Sequence, residues 1–336
     1  MSDSLITSTP WLIDESAWPR VEAMMLAATK FRSETPKPEA RSYRSDYSQP
    51  PDTSPREYAV INGIAVINIH GVLVKQDEWW NRYFDLVSCD GIRTQLGCAL
   101  ADTYVKAILF DFNTPGGEVN GVADCGDAIF EARGKKPLIG VANDYCCSSG
   151  IWLGTAVDQL YVTQSAITGS IGVMVVRYDY TEAQKKAGIG AYVIRAGKQK
   201  GYGSPSLPMT SDETKVVQAN IDQLYENFVA AVARNRSTTP ELVLEHWADA
   251  RCFRGSAAVD VGLADEVSTL ERVLAKLGAK PTDLDPDQTE DSTDASTDNS
   301  PDPDQSPNAS GASSGNGSSN RRGRVWPRIS RPFRRH

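Results

Sequence analysis

The chain has 336 residues, 40 % of them hydrophobic, and carries a formal net charge of −8 with a pI near 5.1. That supplies a core for one large domain or two ordinary ones. It argues against a body that wraps nucleic acid, whose affinity comes mainly from phosphate neutralisation. No apolar run approaches the roughly 20 residues that span a bilayer. The N-terminus "MSDSLITSTPWLIDESAWPR" has acidic residues where a signal peptide has basic ones, so a soluble, unexported protein is expected.

In chain order, "WLIDESAWPRVEAMMLAA" sets Trp18, Val21, Met25 and Ala28 at helical spacing, which predicts a short amphipathic helix within 11–30. Residues 31–57 read as an irregular connector. "YAVINGIAVINIHGVLV", 58–74, predicts a tight hairpin at Asn62-Gly63 and then a core strand. A helix follows over 90–104, with Ile92, Leu96, Ala99 and Leu100 on one face, and then the strand "KAILFDF", 106–112. The turn "NTPGGEVNG", 113–121, leads to a helix, the strand "PLIGVAN", the small-residue helix "CCSSGIWLGTAVD" and the strand "QLYVTQ". Alternation of this kind predicts a layered α/β body with crossover connections.

Further on, "TGSIGVMVVR" reads as a glycine-rich turn feeding a strand, "DYTEAQKKAGI" as a helix, "GAYVIRAG" as a strand and "KQKGYGSPSLPMT" as a loop. The helix 212–236 is the clearest in the chain, with Val217, Ile221, Leu224, Phe228 and Val232 in one stripe and "TSDE" as its N-cap. Short helices at 240–247 and near 267–278 close the body. Beyond it, Pro281 to Ser310 holds nine acidic residues and no basic one, and Arg321 to His336 holds seven arginines. Such composition cannot offset chain ordering with burial and predicts disorder. Three parts are expected: residues 1–57, an N-terminal helix and connector; 58–278, the folded domain; 279–336, an acidic then basic disordered tail.

Glycine-containing turns near 115, 148 and 169 are suited to lining a cleft at strand ends. None carries a phosphate-binding fingerprint. An acyl-transfer site would take a serine with a base, plus backbone donors for the oxyanion; Ser148 and the Gly116-Gly117 turn fit those parts. The base is harder to read. His70 ends a strand, His246 sits half buried in "ELVLEHW", and His336 is the last residue. Lys198 and Lys200 lie in the breaker-rich loop, where the plain alternative is a solvated lysine. A lysine serves as base only if burial lowers its pKa. The six cysteines (Cys89, Cys98, Cys125, Cys146, Cys147, Cys252) make no C-x-x-C pair, so no metal is expected, and Cys146 and Cys147 read as small core residues.

The set "NTPGGEV", "CCSSGIW", "TGSIGV" and "AGKQKGYGSPSLPMTSDE", in this order across 58–275, resembles the signal peptide peptidase A family of serine proteases, and within it the branch of phage capsid-maturation proteases. The resemblance implies a ClpP/crotonase-like β-β-α spiral and a Ser-Lys dyad. It assigns the nucleophile to Ser148, with Ser149 as its neighbour and fallback, and the general base to Lys200, 52 residues downstream. It makes Gly117 the oxyanion donor and places Gly116, Gly150, Thr168, Gly169 and Ser170 around the substrate, Ser170 as a partner orienting the lysine. Ile151, Thr114, Ala196 and Gly201 depart from the family pattern and bear on cleft shape.

The same resemblance implies a serine endopeptidase without metal or organic cofactor, acting on peptide or protein substrates such as scaffold, portal or capsid proteins, in the host cytoplasm and inside the procapsid. It implies a homo-oligomer, and leaves open whether serine and lysine meet within one subunit or come from adjoining subunits. No membrane contact is expected, and nucleic acid only through the basic tail. Two rivals stand beside it: a non-catalytic scaffolding protein of the capsid interior and a crotonase-like acyl-CoA enzyme.

Overall fold

A computed structural model describes residues Trp11–Ile13, 58–78 and 81–280, together with Pro19, residues 21–23, Leu26, Ala27 and Lys30. These lie within one unit, Met1–Gln288. The expected connector over 31–57 and the charged tail beyond Lys280 lie outside the described residues, as do Trp18, Met25 and Ala28 of the N-terminal stripe.

Alternation along two strands builds the centre. β1 is Trp11–Ile13 and β2 Ala59–Ile61. β3, Ile64–His70, pairs antiparallel with β2 through a turn at Asn62 and Gly63, both at positive φ, as the Asn-Gly pair predicts. β3 also pairs in parallel with β6, Ala107–Thr114. Ala65, Ile67 and Ile69 of β3 and Ile108, Phe110 and Phe112 of β6 enter one core, while Ile64, Val66 and Leu109 enter a second on the opposite face. A strand apolar on both faces must be covered on both.

The first face is covered by helices α1 (Cys89–Ala101), α2 (Val122–Glu131), α3 (Ser149–Thr155) and α5 (Ser211–Asn235), through Ile92, Leu96, Ile129, Ile151 and Phe228. The other face is covered by the last helix, α8 (Leu270–Lys276), through Val273 and Leu274. Between them come α4 (Thr181–Lys186), α6 (Pro240–His246) and α7 (Ser256–Asp260). Ser88, Thr210, Thr239 and Thr269 cap α1, α5, α6 and α8, each accepting from a backbone N–H three residues on, the usual N-cap device.

Among the described residues the large sheet runs β11-β10-β8-β6-β3-β2, with β9 beside β8 and β12 beside β9, where β8 is Leu138–Cys147, β9 Gln159–Val162, β10 Ile167–Gly169, β11 Cys252–Arg254 and β12 Glu266–Val267. A smaller sheet runs β1-β7-β4-β5, with β4 Val72–Val74, β5 Leu86–Ser88 and β7 Gly116–Glu118. The chain passes from β3 to β4 through Gly71 (φ 92°), where a Cβ would lie 1.9 Å from the Asp85 carbonyl oxygen. A mixed α/β body with a mostly parallel sheet and a second small sheet raised at the strand ends is the ClpP/crotonase-like spiral that the sequence leads one to expect.

Three local expectations change. Trp11–Ile13 is a strand rather than the start of the helix, and the described residues between 19 and 30 are helical. The run after Gly169 makes only a single bridge at Met174. "GAYVIRAG" is not in a sheet, and its Tyr192 and Ile194 stand 93 % and 101 % exposed. Its composition suits a strand, but among the described residues no neighbouring strand takes its backbone groups.

Candidate active site

The glycine turn grows out of the end of β6. Thr114 Oγ1 accepts from the Gly116 N–H at 3.1 Å, closing a small side-chain turn where the resemblance expects serine. Gly116 has φ 106°. At Gly117 a Cβ would stand 1.9 Å from the Leu73 carbonyl oxygen, so β7 can pair with β4 at Leu73 and Gly117 only because that side chain is missing. Both glycines are buried.

Ser148 sits between β8 and α3 with φ 53° and ψ −118°, a conformation that costs a non-glycine residue about 1–3 kcal/mol. It is held there from both sides. Its N–H donates to the Gly169 carbonyl at 2.8 Å, and its carbonyl accepts the first α3 bond from Trp152 N–H at 3.1 Å. The residue is fully buried, and its Oγ has no hydrogen-bond partner among the described residues. A buried hydroxyl without a partner is costly; on a sharp strand-to-helix turn it has the form of a presented nucleophile. Gly150 brings α3 against the glycine turn, since a Cβ there would lie 2.6 Å from Thr114 Cγ2. Ser149 is the first α3 residue and is buried as well.

The rear of α3 is fixed by α5 and by Arg133. Trp152 stacks on Phe228 with ring centroids 4.8 Å apart. Asn235 Nδ2 donates to Thr155 Oγ1 at 3.2 Å, and the Arg133 guanidinium donates to the Thr155 and Ala156 carbonyls, each at 2.8 Å. These groups satisfy the open C-terminal end of the helix. Sequence patterning missed them, because a polar residue at a helix end carries no periodic signal.

The third turn lies beside the serine. β10 pairs in parallel with β8, Gly169 opposite Cys147, and antiparallel with β11, Gly169 opposite Cys252. Gly169 has φ 113°, and a Cβ there would meet the Arg251 carbonyl oxygen at 2.4 Å. Ser170 is also at positive φ, and its N–H donates to that same oxygen at 2.7 Å. Thr168 Oγ1 donates to the Phe253 carbonyl at 3.4 Å. The neighbour that shapes this turn, β11 with Arg251 and Phe253, was not legible from "RCFRG".

The loop after α4 separates its two lysines. Lys198 Nζ lies 2.8 Å from Asp212 Oδ2, and that hydrogen bond raises its pKa, so it stays an ammonium ion. The exposed Lys200 side chain has no carboxylate or hydrogen-bond partner among the described residues; only its backbone is tied, to Gly197 and Arg195. Beneath the loop, Arg177 Nη1 lies 3.2 Å from Glu213 Oε1, the two side chains being 10 % and 3 % exposed. Arg177 Nη2 donates to the Ser204 and Leu207 carbonyls at 2.8 and 3.0 Å, and Glu213 Oε1 accepts from Gly203 N–H at 2.7 Å. This buried pair is a second feature the sequence reading missed, although one arginine ending "GVMVVR" was its signal.

Ser148, Gly116, Gly117, Gly150, Thr168, Gly169 and Ser170 thus converge in one chain. No hydrogen bond joins Ser148 or Ser170 to Lys200. The hollow beside the lysine loop, lined by Val193, Tyr202, Leu207 and Glu213, includes none of the converging residues. The two histidines among the described residues lie elsewhere: His70 Nε2 bonds to Asp111 Oδ2 at 3.0 Å, which raises the histidine's pKa, and His246 is exposed rather than half buried. Burial pushes the Cys146 thiol up, far from the thiolate that a cysteine nucleophile requires. Among the described residues no group of three or more His, Cys, Asp or Glu is placed to hold a metal ion, and no helix is long and apolar enough to cross a membrane.

The chain is 37 % identical over 212 residues to capsid assembly protease C of Escherichia phage lambda, covering 63 % of this chain and 48 % of that protein. It is 32 % identical over 212 residues to head-tail preconnector protein GP5 of Enterobacteria phage P21, covering 63 % and 42 %. Protease 4 of Haemophilus influenzae is 27 % identical over 226 residues, 65 % of this chain and 35 % of that protein. The chain therefore spans about half or less of the length of these relatives. The profile of peptidase family S49 matches residues 131–282, the stretch that carries Ser148, the Thr168–Ser170 turn and Lys200, so this stretch is a peptidase family S49 domain.

Proposed function

We propose that this protein is a serine endopeptidase of phage head assembly, with Ser148 as nucleophile and Lys200 as general base, cleaving scaffold, portal or minor capsid proteins inside the procapsid. The observation that carries the reading is the buried Ser148 Oγ, without a partner and held at positive φ against the Gly116-Gly117 turn. The names of the phage relatives supply the substrate class.

In the reaction, the neutral Lys200 amine takes the Ser148 proton as Oγ bonds to the peptide carbonyl carbon. The carbonyl oxygen becomes an oxyanion, stabilised by the Gly117 N–H. Collapse breaks the C–N bond as the lysine ammonium gives its proton to the leaving amine. A water, deprotonated by the same lysine, then attacks the acyl-Ser148 ester; the acid leaves and Ser148 recovers its proton.

The base comes from a neighbouring subunit. Two observations support this part: the exposed, unpaired Lys200 side chain, and the exposed Ile189, Tyr192, Val193 and Ile194 just ahead of it. Docking of that segment on a second copy would take the lysine amine out of solvent. The test is co-expression with candidate scaffold and portal proteins, with fragments mapped by intact mass. Wild type is expected to cleave, and Ser148→Ala and Lys200→Ala are each expected to leave the partners intact. Cleavage by either variant would rule out the dyad.

A further inference from the structure

Ordering of the small sheet raises a question about the outer edge of β7. That strand has two edges. One is taken by β4, at Leu73 and Gly117. The other is taken by β1 of the N-terminal segment, antiparallel, with Trp11 opposite Glu118, Leu12 opposite Gly117 and Ile13 opposite Gly116. An extended peptide that brings a carbonyl to Gly117 must pair with β7 through the edge that β4 leaves open, since strand addition uses the unpaired N–H and C=O groups of an edge. β1 already holds that edge.

A second contact ties the same segment to the region beneath the lysine loop of its own chain. Val21 is buried, and the Tyr178 hydroxyl donates to Glu22 Oε1. Tyr178 follows Arg177, whose guanidinium holds the loop carrying Lys200. The N-terminal segment therefore touches the glycine turn at residues 11–13 and the approach to the lysine loop at residue 22. A three-residue strand makes few ladder bonds. It occupies the edge because it is tethered, at an effective concentration on the order of millimolar, and a longer substrate strand can displace it.

We propose that the outer edge of β7 is the peptide-docking surface of this protein and that its resident occupant is the chain's own segment Trp11–Ile13, a pseudo-substrate strand that a protein substrate must displace. The consequence for activity rests on the protease reading above; the docking itself does not.

The test uses the full chain. Because successive residues of an antiparallel pair alternate between bonded and non-bonded positions, proline at both Leu12 and Ile13 removes the donor whichever parity holds. The probe is a dye-labelled peptide of residues 8–16, STPWLIDES, followed by anisotropy in a Ser148→Ala background. The L12P/I13P variant is expected to bind it about tenfold more tightly than the parent, as a released tether predicts. Amide exchange at Gly117 and Glu118 is expected to be faster in that variant and to slow again when peptide is added. Glu22→Gln, which leaves every backbone donor in place, is expected to move both readouts in the same direction by a smaller factor. With Ser148 present, cleavage of an added protein substrate is expected to rise several-fold in L12P/I13P. Unchanged peptide binding and unchanged exchange in both variants would overturn the proposal, even with cleavage intact. Stronger binding without cleavage by any Ser148-containing chain would uphold the docking surface and sink the protease reading instead.

Discussion

At the scale of the residue, the site stands on backbone conformations that most side chains avoid. Ser148 occupies φ 53°, ψ −118°, and the surrounding contacts, not its own preference, keep it there. Replacing it with glycine removes that strain, so Ser148→Gly is expected to be more stable than Ser148→Ala by about 1 kcal/mol in urea or thermal unfolding, both being inactive. Equal stability would mean that the turn is unstrained and that its form owes nothing to presentation of a hydroxyl. Ser148 was legible from its motif, Ser-x-Gly after a core strand, but the positive φ and the orphaned Oγ were not. Lys200 is singled out in the sequence only through resemblance; what distinguishes it from Lys198 in the structure is the carboxylate of Asp212, a contact across 14 residues that no local pattern announces.

At the scale of the element, α3 and the lysine loop are each clamped by a group of polar residues remote in sequence. For the loop the clamp is Arg177 with Glu213, a buried pair in which loss of one partner strands the other charge and costs about 3 kcal/mol or more. Glu213→Gln is expected to lower stability, to speed proteolytic nicking within residues 198–208, and to reduce kcat more than it raises KM. Unaltered nicking with altered activity would remove the clamp from the account. The long strands and α1, α2 and α5 were readable because alternation and 3.6-residue periodicity record burial directly. The segments 173–177 and 190–197 misled because β-branched and aromatic residues announce an extended chain but not a partner for it. Trp11–Ile13 misled in the opposite way: three apolar residues fell inside the span 11–30 read as helical, while β7, the strand they pair with, begins more than a hundred residues later.

At the scale of the whole molecule, one chain brings together Ser148, the glycine turn and the flanking 168–170 turn, and joins none of them to Lys200 by a hydrogen bond. The α5 stripe shows the same division: Phe228 and Val232 are buried, whereas Val217, Ile221 and Leu224, nearer the lysine loop, are only half covered. The proposed assembly, in which each lysine loop docks on the next copy, would complete both the stripe and the dyad. Such a head-to-tail contact makes rings when its rotation closes. The direct measurement is mixing of two inactive proteins, Ser148→Ala and Lys200→Ala, unfolded together, refolded and assayed on a scaffold or portal substrate that wild type cleaves. With the dyad shared between neighbours, random assembly restores roughly a quarter of wild-type activity, because one site in four then pairs an intact serine with an intact lysine across the head-to-tail contact. No activity at any mixing ratio, from assemblies of wild-type size that contain both variants, would contradict the account.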